Sequence, residues 1–202
     1  MYFEQGYIYH IYNQGNNRQR IFFREENYYF FLQKIKRYIL PYADILAWCL
    51  MPNHFHLMVL VNETEIVPPE TERVSHSHPL NLKPRTFNNS IAIMLRSYTR
   101  AINNQQGRSG ALFREETKAE CVNCSDGVSP AFFTVGGVTQ INIELPEKQY
   151  PQVCFNYIHL NPVKAGLVRR AEEWEFSSAK DYYGMRAGKL VNKGVAEKYV
   201  KW

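Results

Sequence analysis

The chain has 202 residues, 45% hydrophobic and 14% aromatic, with 24 Lys and Arg against 19 Asp and Glu, for a formal net charge of +5. This composition supports a packed core and excludes an intrinsically disordered chain; the length suits one domain, or one domain with an insertion. The apolar run Leu57 to Val61 is strand-sized rather than membrane-spanning.

In chain order, residues 7–13 are aromatic and β-branched and predict a strand, followed by a turn over Gln14 to Asn17. Ile21 to Phe23 could begin a helix. Glu25 to Leu40 has apolar residues at Tyr28, Phe31, Leu32, Ile35, Tyr38 and Ile39, a helical spacing that Pro41 ends. Ala43 to Leu50 and His54 to Val61 predict two strands joined by a Met51-Pro52-Asn53 turn, a hairpin. Residues 62–89 are polar and Pro-rich and read as a loop or insertion. Ile91, Met94, Leu95, Tyr98 and Ile102 predict a second helix over 90–103. Ala131 to Val138 and Ile141 to Leu145 are β-like, split by Gly136 and Gly137. Pro151 suits the first turn of a third helix that runs to about Leu160 and is closed by Asn161-Pro162. A short strand or turn and a tail follow. The order implies an α+β fold built on an antiparallel sheet, with a domain over 1–183 and a C-terminal tail over 184–202.

The positive charge is clustered. Arg18, Arg20 and Arg24 lie near the start, Lys34, Lys36 and Arg37 on the first helix, and Arg96, Arg100, Arg108 and Arg114 in a segment without acidic residues until Glu115. Such clusters fit a polyanion, and equally a set of solvated helix faces. Four cysteines form no disulfide framework, and no amino-terminal stretch has the build of a signal peptide. The expectation is a cytoplasmic protein with free thiols, including Cys121 and Cys124.

Two constellations carry chemistry. In His54-Phe55-His56 the histidines lie two apart on a strand, so both imidazoles share one face while Phe55 points to the other. Such a pair suits Mn²⁺, Zn²⁺, Ni²⁺ or Cu²⁺ by affinity, and Mg²⁺ for its phosphate chemistry. Tyr157 and Asn161, four apart, share a helix face. A phenol can be a nucleophile and an amide carbonyl a third ligand. By spacing alone, a packed Tyr157 and an Asn161 that merely ends a helix explain the second pair as well. Tyr98, between Arg96 and Arg100, is an alternative nucleophile. His76-Ser77-His78 imitates the histidine pair within a Pro-flanked loop. His10 is a possible neighbour of the site if its strand lies beside that of His54, and His159 faces away from Tyr157 on the helix.

Taken together, the motifs Met51-Pro52-Asn53-His54-Phe55-His56 and Tyr157-Ile158-His159-Leu160-Asn161-Pro162 through Val168 resemble one family. It is the insertion-sequence-200-like single-tyrosine HUH transposases, more closely the REP-associated tyrosine transposases. Tyr9-His10-Ile11 with Asn13 and Gly15, the stretch Gly110 to Arg114, and Trp174 with Ser177-Ser178 resemble it too, so the likeness spans most of residues 7–180. It implies a ferredoxin-like antiparallel sheet with helices packed on one face. His54, His56 and Asn161 would hold a divalent metal, Mg²⁺ or Mn²⁺, and Tyr157 would be the nucleophile. The reaction implied is nicking and joining of single-stranded, hairpin-containing DNA through a 5′-phosphotyrosine. Arg18, Arg20, Arg96, Arg100, Arg108, Arg114 and Lys164 would contact the nucleic acid. A homodimer is a possible assembly, and no membrane partner is implied. The loop 62–89 and the segment 120–149 depart from the pattern by their length and, in the second, by a β-like character. A catalytically inactive hairpin-binding protein of the same fold and a metal hydrolase of other phosphodiesters are the alternatives.

Overall fold

The computed structural model describes residues 1–67, 83–124, 133–135, 138–140 and 146–202. In chain order the elements are β1 Ile8–Gln14, α1 Glu25–Tyr38, β2 Ala43–Met51, β3 His54–Val61, β4 Glu65–Ile66, β5 Arg85–Thr86, α2 Phe87–Gln106, β6 Lys118–Cys121, β7 Phe133–Val135, β8 Val138–Gln140, α3 Pro146–Lys164, α4 Ala179–Tyr182 and α5 Lys193–Ala196. β2, β3, β1 and β6 form one sheet in that order, every pair antiparallel. The order is that of the expected ferredoxin-like α+β fold: β1 and β2 are joined across α1, and β3 is threaded between them.

Strand alternation decides what each face meets. Phe55, Leu57 and Val59 point to the face covered by α1 and α2. There the Phe31 ring of α1 lies 5.1 Å from Phe55 and 4.8 Å from Tyr98 of α2. Burying aromatics of this size dominates core stability, at roughly 2–3 kcal/mol each. Local signals fix the helix ends. The Thr86 hydroxyl accepts from the Asn89 N–H at 3.2 Å to begin α2, and Gly107, at φ 59°, ends it in the left-handed region that glycine enters without strain.

The two core helices lie on one face, as expected. α3 lies on the other, against β2 and β3, because the residues that meet it are His54, His56 and their same-face neighbours. α3 also extends beyond the expected Pro151 to Leu160. It continues through Pro162 to Lys164, and the Asn161 carbonyl still accepts from Ala165 N–H at 3.0 Å.

Other expectations are corrected. Ile21 to Phe23 start no helix; the Ile21 and Phe22 N–H groups both donate to the Pro52 carbonyl, at 2.9 and 3.2 Å, and tie the loop to the β2–β3 turn. α2 begins three residues early, behind its Thr86 cap. β7 and β8 pair antiparallel, Val135 opposite Val138; Gly136, Gly137, Ile141 to Leu145 and His76-Ser77-His78 lie outside the described residues. Cys121 and Cys124 are joined as a disulfide rather than free, because the chain turns back at the end of β6, while Cys49 and Cys154 are free and buried.

The edge strand β2 is covered by chain from the C-terminal quarter. Phe176, Ser177 and Ser178 bond to the backbone of Leu50 and Trp48, and Asn192 N–H donates to the Ile45 carbonyl at 2.9 Å. Residues 184–202 continue along this edge, with Val191, Ala196 and Val200 buried. Covering an edge in this way removes unpaired backbone groups that would otherwise template aggregation. No helix among the described residues is long and apolar enough to cross a membrane.

Candidate active site

The register of the sheet assembles the site. Tyr12 lies directly opposite His56, and Gln14 opposite His54, so β1 and β3 present His10, Tyr12, His54 and His56 on one face. β6 adds Glu120 opposite His10 and Lys118 opposite Tyr12. α3 crosses this face. Phe155, Ile158 and His159 anchor it as buried residues, and the His159 Nε2 sits 2.7 Å from Ser178 Oγ beneath β2. The helical period then turns Tyr157 and Asn161 toward the histidines.

The resulting contacts are close. The His54 Nε2 lies 3.2 Å from Asn161 Oδ1, and the His56 Nε2 lies 3.2 Å from Asn161 Nδ2. The Tyr157 ring stands edge-on to His56 at 5.4 Å and to His10 at 6.0 Å between centroids. The His56 Nδ1 is 2.9 Å from His10 Nε2. Tyr157 is 40% exposed, His54 is half-buried and His56 is buried.

Among the described residues no group of three or more His, Cys, Asp or Glu side chains is placed to hold a metal ion. The set here is two imidazoles and an amide. Its hydrogen bonding still fits a cation. Asn53 Nδ2 donates to the Arg18 carbonyl at 3.3 Å, which turns Asn53 Oδ1 toward His54 Nδ1 at 2.6 Å. That nitrogen therefore carries the proton, and His54 Nε2 presents a lone pair. Its neighbour, Asn161 Oδ1, is also an acceptor. With Nδ1–H of His56 donated to His10, the second Nε2 presents a lone pair as well. In this arrangement the Asn161 NH₂ meets the His56 Nε2, while the His54 Nε2 and Asn161 Oδ1 face each other as two acceptors 3.2 Å apart, a pairing that a divalent cation between them would satisfy. Outer partners that fix the ligand tautomer, here Asn53 and His10, are a usual part of such sites.

Burial holds the imidazoles neutral, the form that ligates. Desolvation lowers His54, with the Asn161 hydrogen bond opposing it, and lowers His56 well below the ordinary value, with help from His10 and His54. Burial lowers His10 to about 4. Tyr12 donates to Glu120 Oε1 at 2.5 Å; burial, then that hydrogen bond, raises its phenol.

A cleft of about 360 Å³ opens over the site, lined by Tyr12, Gln14, His54, His56 and Tyr157 and by Arg114, Glu116 and Lys118. Asn13 and Arg114 belong also to a neighbouring groove of about 640 Å³ that runs along α2 past Arg96, Arg100 and Arg108. Asn13 joins the two, donating to Thr117 Oγ1 at 2.9 Å and to the Arg114 carbonyl at 3.2 Å.

The expected site residues separate accordingly. His54, His56, Tyr157 and Asn161 come together. Arg96, Arg100, Arg108 and Arg114 share the adjoining groove, though the Arg108 guanidinium braces Gln19 Oε1 at 2.7 Å. Lys164 sits over the Tyr157 ring, its Nζ 5.3 Å from the centroid. Arg18 and Arg20 line neither cleft: Arg18 is exposed beside the histidine hairpin, and Arg20 lies near Tyr28. Tyr98 is no alternative nucleophile. It is wholly enclosed between the helices and donates to the Ile21 carbonyl at 2.7 Å, so no phosphate can reach it. His159 is buried on the β2 side of α3. Tyr12, Lys118 and Glu120 were not singled out from sequence. The alternation of β1 flags Tyr12 once His10 is placed, but β6 is too short and polar to announce itself.

No protein-family model and no curated protein matches the sequence. Among solved structures, the chain is similar to a REP-associated tyrosine transposase bound to a REP hairpin. The TM-score is 0.57 over 95% of this chain and 92% of that one, at 16% sequence identity. The two proteins share a fold.

Proposed function

We propose that this protein is a metal-dependent enzyme that nicks and rejoins single-stranded DNA beside a hairpin, by transesterification through Tyr157. The observation that carries the reading is the convergence of an exposed phenol on two neutral imidazoles and an amide oxygen, within one cleft open to an arginine-lined groove. The hairpin as substrate class comes from the structurally similar transposase.

In the reaction, Tyr157 Oη attacks the scissile phosphorus. The Oη–P bond forms as the P–O3′ bond breaks, leaving a 5′-phosphotyrosine and a free 3′-hydroxyl that takes up the proton the phenol releases. Because the phosphodiester energy is conserved, a second 3′-hydroxyl can reverse the step and join strands. His54, His56 and Asn161 would hold Mg²⁺ or Mn²⁺, which when bound withdraws charge from a non-bridging phosphate oxygen. His10 and Asn53 orient the two imidazoles. Arg96, Arg100 and Arg114 grip the backbone of the strand leading to the cleft, a contribution that weakens with salt.

The test is a denaturing gel of end-labelled hairpin DNA with a single-stranded flank, incubated with the protein and Mn²⁺. A slow protein–DNA adduct that Tyr157→Phe abolishes supports the proposal. DNA binding without adduct under Mn²⁺ or Mg²⁺ refutes it in favour of an inactive binding protein, and cleavage without a protein-linked product refutes it in favour of a hydrolase.

A further inference from the structure

We propose that Lys164 is a further catalytic residue of this site, the cation that binds the scissile phosphate on the nucleophile's side. The inference rests on the transesterification reading and adds a residue to it.

The placement follows from α3. Tyr157, Asn161 and Lys164 are spaced i, i+4 and i+7, so one helical stripe carries the phenol, the amide and the ammonium. The stripe is continuous only because the helix passes through Pro162. The Lys164 Nζ stands 5.3 Å from the Tyr157 ring centroid, a cation–π distance that holds the two side chains together. Two other cations, Arg114 and Lys118, line the cleft itself, whereas Lys164 approaches it from over the Tyr157 ring. The Lys118 ammonium is engaged by Glu116 at 2.6 Å, and Arg114 stands beside the end of β1, its backbone N–H donating to the Gln14 carbonyl at 2.8 Å. Among the described residues no carboxylate lies within ion-pair distance of Lys164. A phosphate in line with Tyr157 Oη would thus meet the imidazole–amide set on one side and this ammonium on the other. Charge accumulates on the non-bridging oxygens as the Oη–P bond forms and the P–O3′ bond breaks, and a flexible lysine stem can follow it. Prealigned charge of this kind commonly contributes two to three orders of magnitude in rate.

A plainer role competes. Lys164 occupies the last turn of α3, where a cation favours the helix dipole. The two roles differ in what they change. Lys164→Met keeps the alkyl stem against the Tyr157 ring without the charge, and Lys164→Arg keeps a charge. Adduct formation is measured under single-turnover conditions at saturating hairpin DNA with Mn²⁺, alongside thermal unfolding. We expect Lys164→Met to slow the adduct step by about 100-fold, Lys164→Arg to recover much of the rate, and both to unfold within a few degrees of wild type. A wild-type rate for Lys164→Met at saturating DNA overturns the proposal and leaves Lys164 as a backbone grip or helix cap. Absence of adduct from the wild-type protein overturns the transesterification reading itself, and this role with it.

Discussion

The buried His159 makes the docking of α3 sensitive to acid. Its imidazole is 6% exposed, lies 2.7 Å from Ser178 Oγ, and packs against Phe155 and Tyr182 at 4.3 and 5.5 Å between ring centroids. Burial lowers its pKa to about 3. In the unfolded chain the ring titrates near 6.5. As pH falls through that value the unfolded state takes up a proton that the folded state refuses. The stabilisation is therefore fully present above the unfolded value and is lost progressively between about pH 6.5 and about pH 3. About 1.5 pH units of that window lie above pH 5, so at about 1.4 kcal/mol per unit His159 alone costs about 2 kcal/mol by pH 5. His159→Gln removes the titration while its amide can still reach Ser178. The variant gives up ring contacts and is expected to be about 1 kcal/mol less stable at pH 7. Urea unfolding at pH 7 and pH 5 measures the comparison. The wild type should lose about 2 kcal/mol more than His159→Gln over that interval. The other histidines titrate alike in both proteins and cancel. Equal acid losses would show that His159 accepts a proton in place, and the account of α3 as pinned by a neutral buried imidazole would fail.

Three further outcomes follow from the site and the core. Two ordinary imidazoles would make Mn²⁺ affinity fall about 15-fold between pH 7.5 and pH 6. With His54 and His56 both lowered by burial, calorimetric titration should show a fall of less than about threefold. Tyr98→Phe deletes the donor to the Ile21 carbonyl and should destabilise by about 1 kcal/mol in denaturant, with the Tyr157 adduct rate unchanged. Replacing Arg96 and Arg100 together by Ala should reduce the slope of log affinity against log salt for hairpin DNA by about 2, read by anisotropy across a salt series.

Much of the sheet was legible because strands declare themselves locally. The β2–β3 hairpin shows in its two strand-length apolar runs and its Pro-Asn turn, and the two-residue period of a strand put both imidazoles on one face. α1 and α2 were legible from their 3.6-residue spacing. The pairing of β1 with β3 was not, since no local signal says which strand lies beside which. For that reason His10 had no partner in sequence and Tyr12 no role, although the register sets both against His56. The Cys121–Cys124 pair was misread on composition alone. Four cysteines make no framework, but a tight turn at the end of β6 can still bring two together.

The most consequential misreading is at Asn161-Pro162. Proline disfavours helical conformation in the residue before it and lacks an N–H, so a helix end there is the sound local expectation. The fold overrides it. Pro162 is buried against the sheet side of α3, and the next turn closes through Ala165 N–H to the Asn161 carbonyl and Leu167 N–H to the Pro162 carbonyl, at 3.0 and 2.9 Å. Had the helix ended, Asn161 would have been a terminal residue with a loosely fixed amide, and Lys164 would have pointed wherever the loop took it. With the helix carried one turn further, the amide is held 3.2 Å from both imidazoles and the ammonium is stacked on the phenol. The tolerated proline thus lets one helix carry the phenol, the amide and the ammonium. Tertiary packing spends a locally unfavourable helical turn to align three functional groups, and the geometry of the candidate centre depends on that turn staying formed.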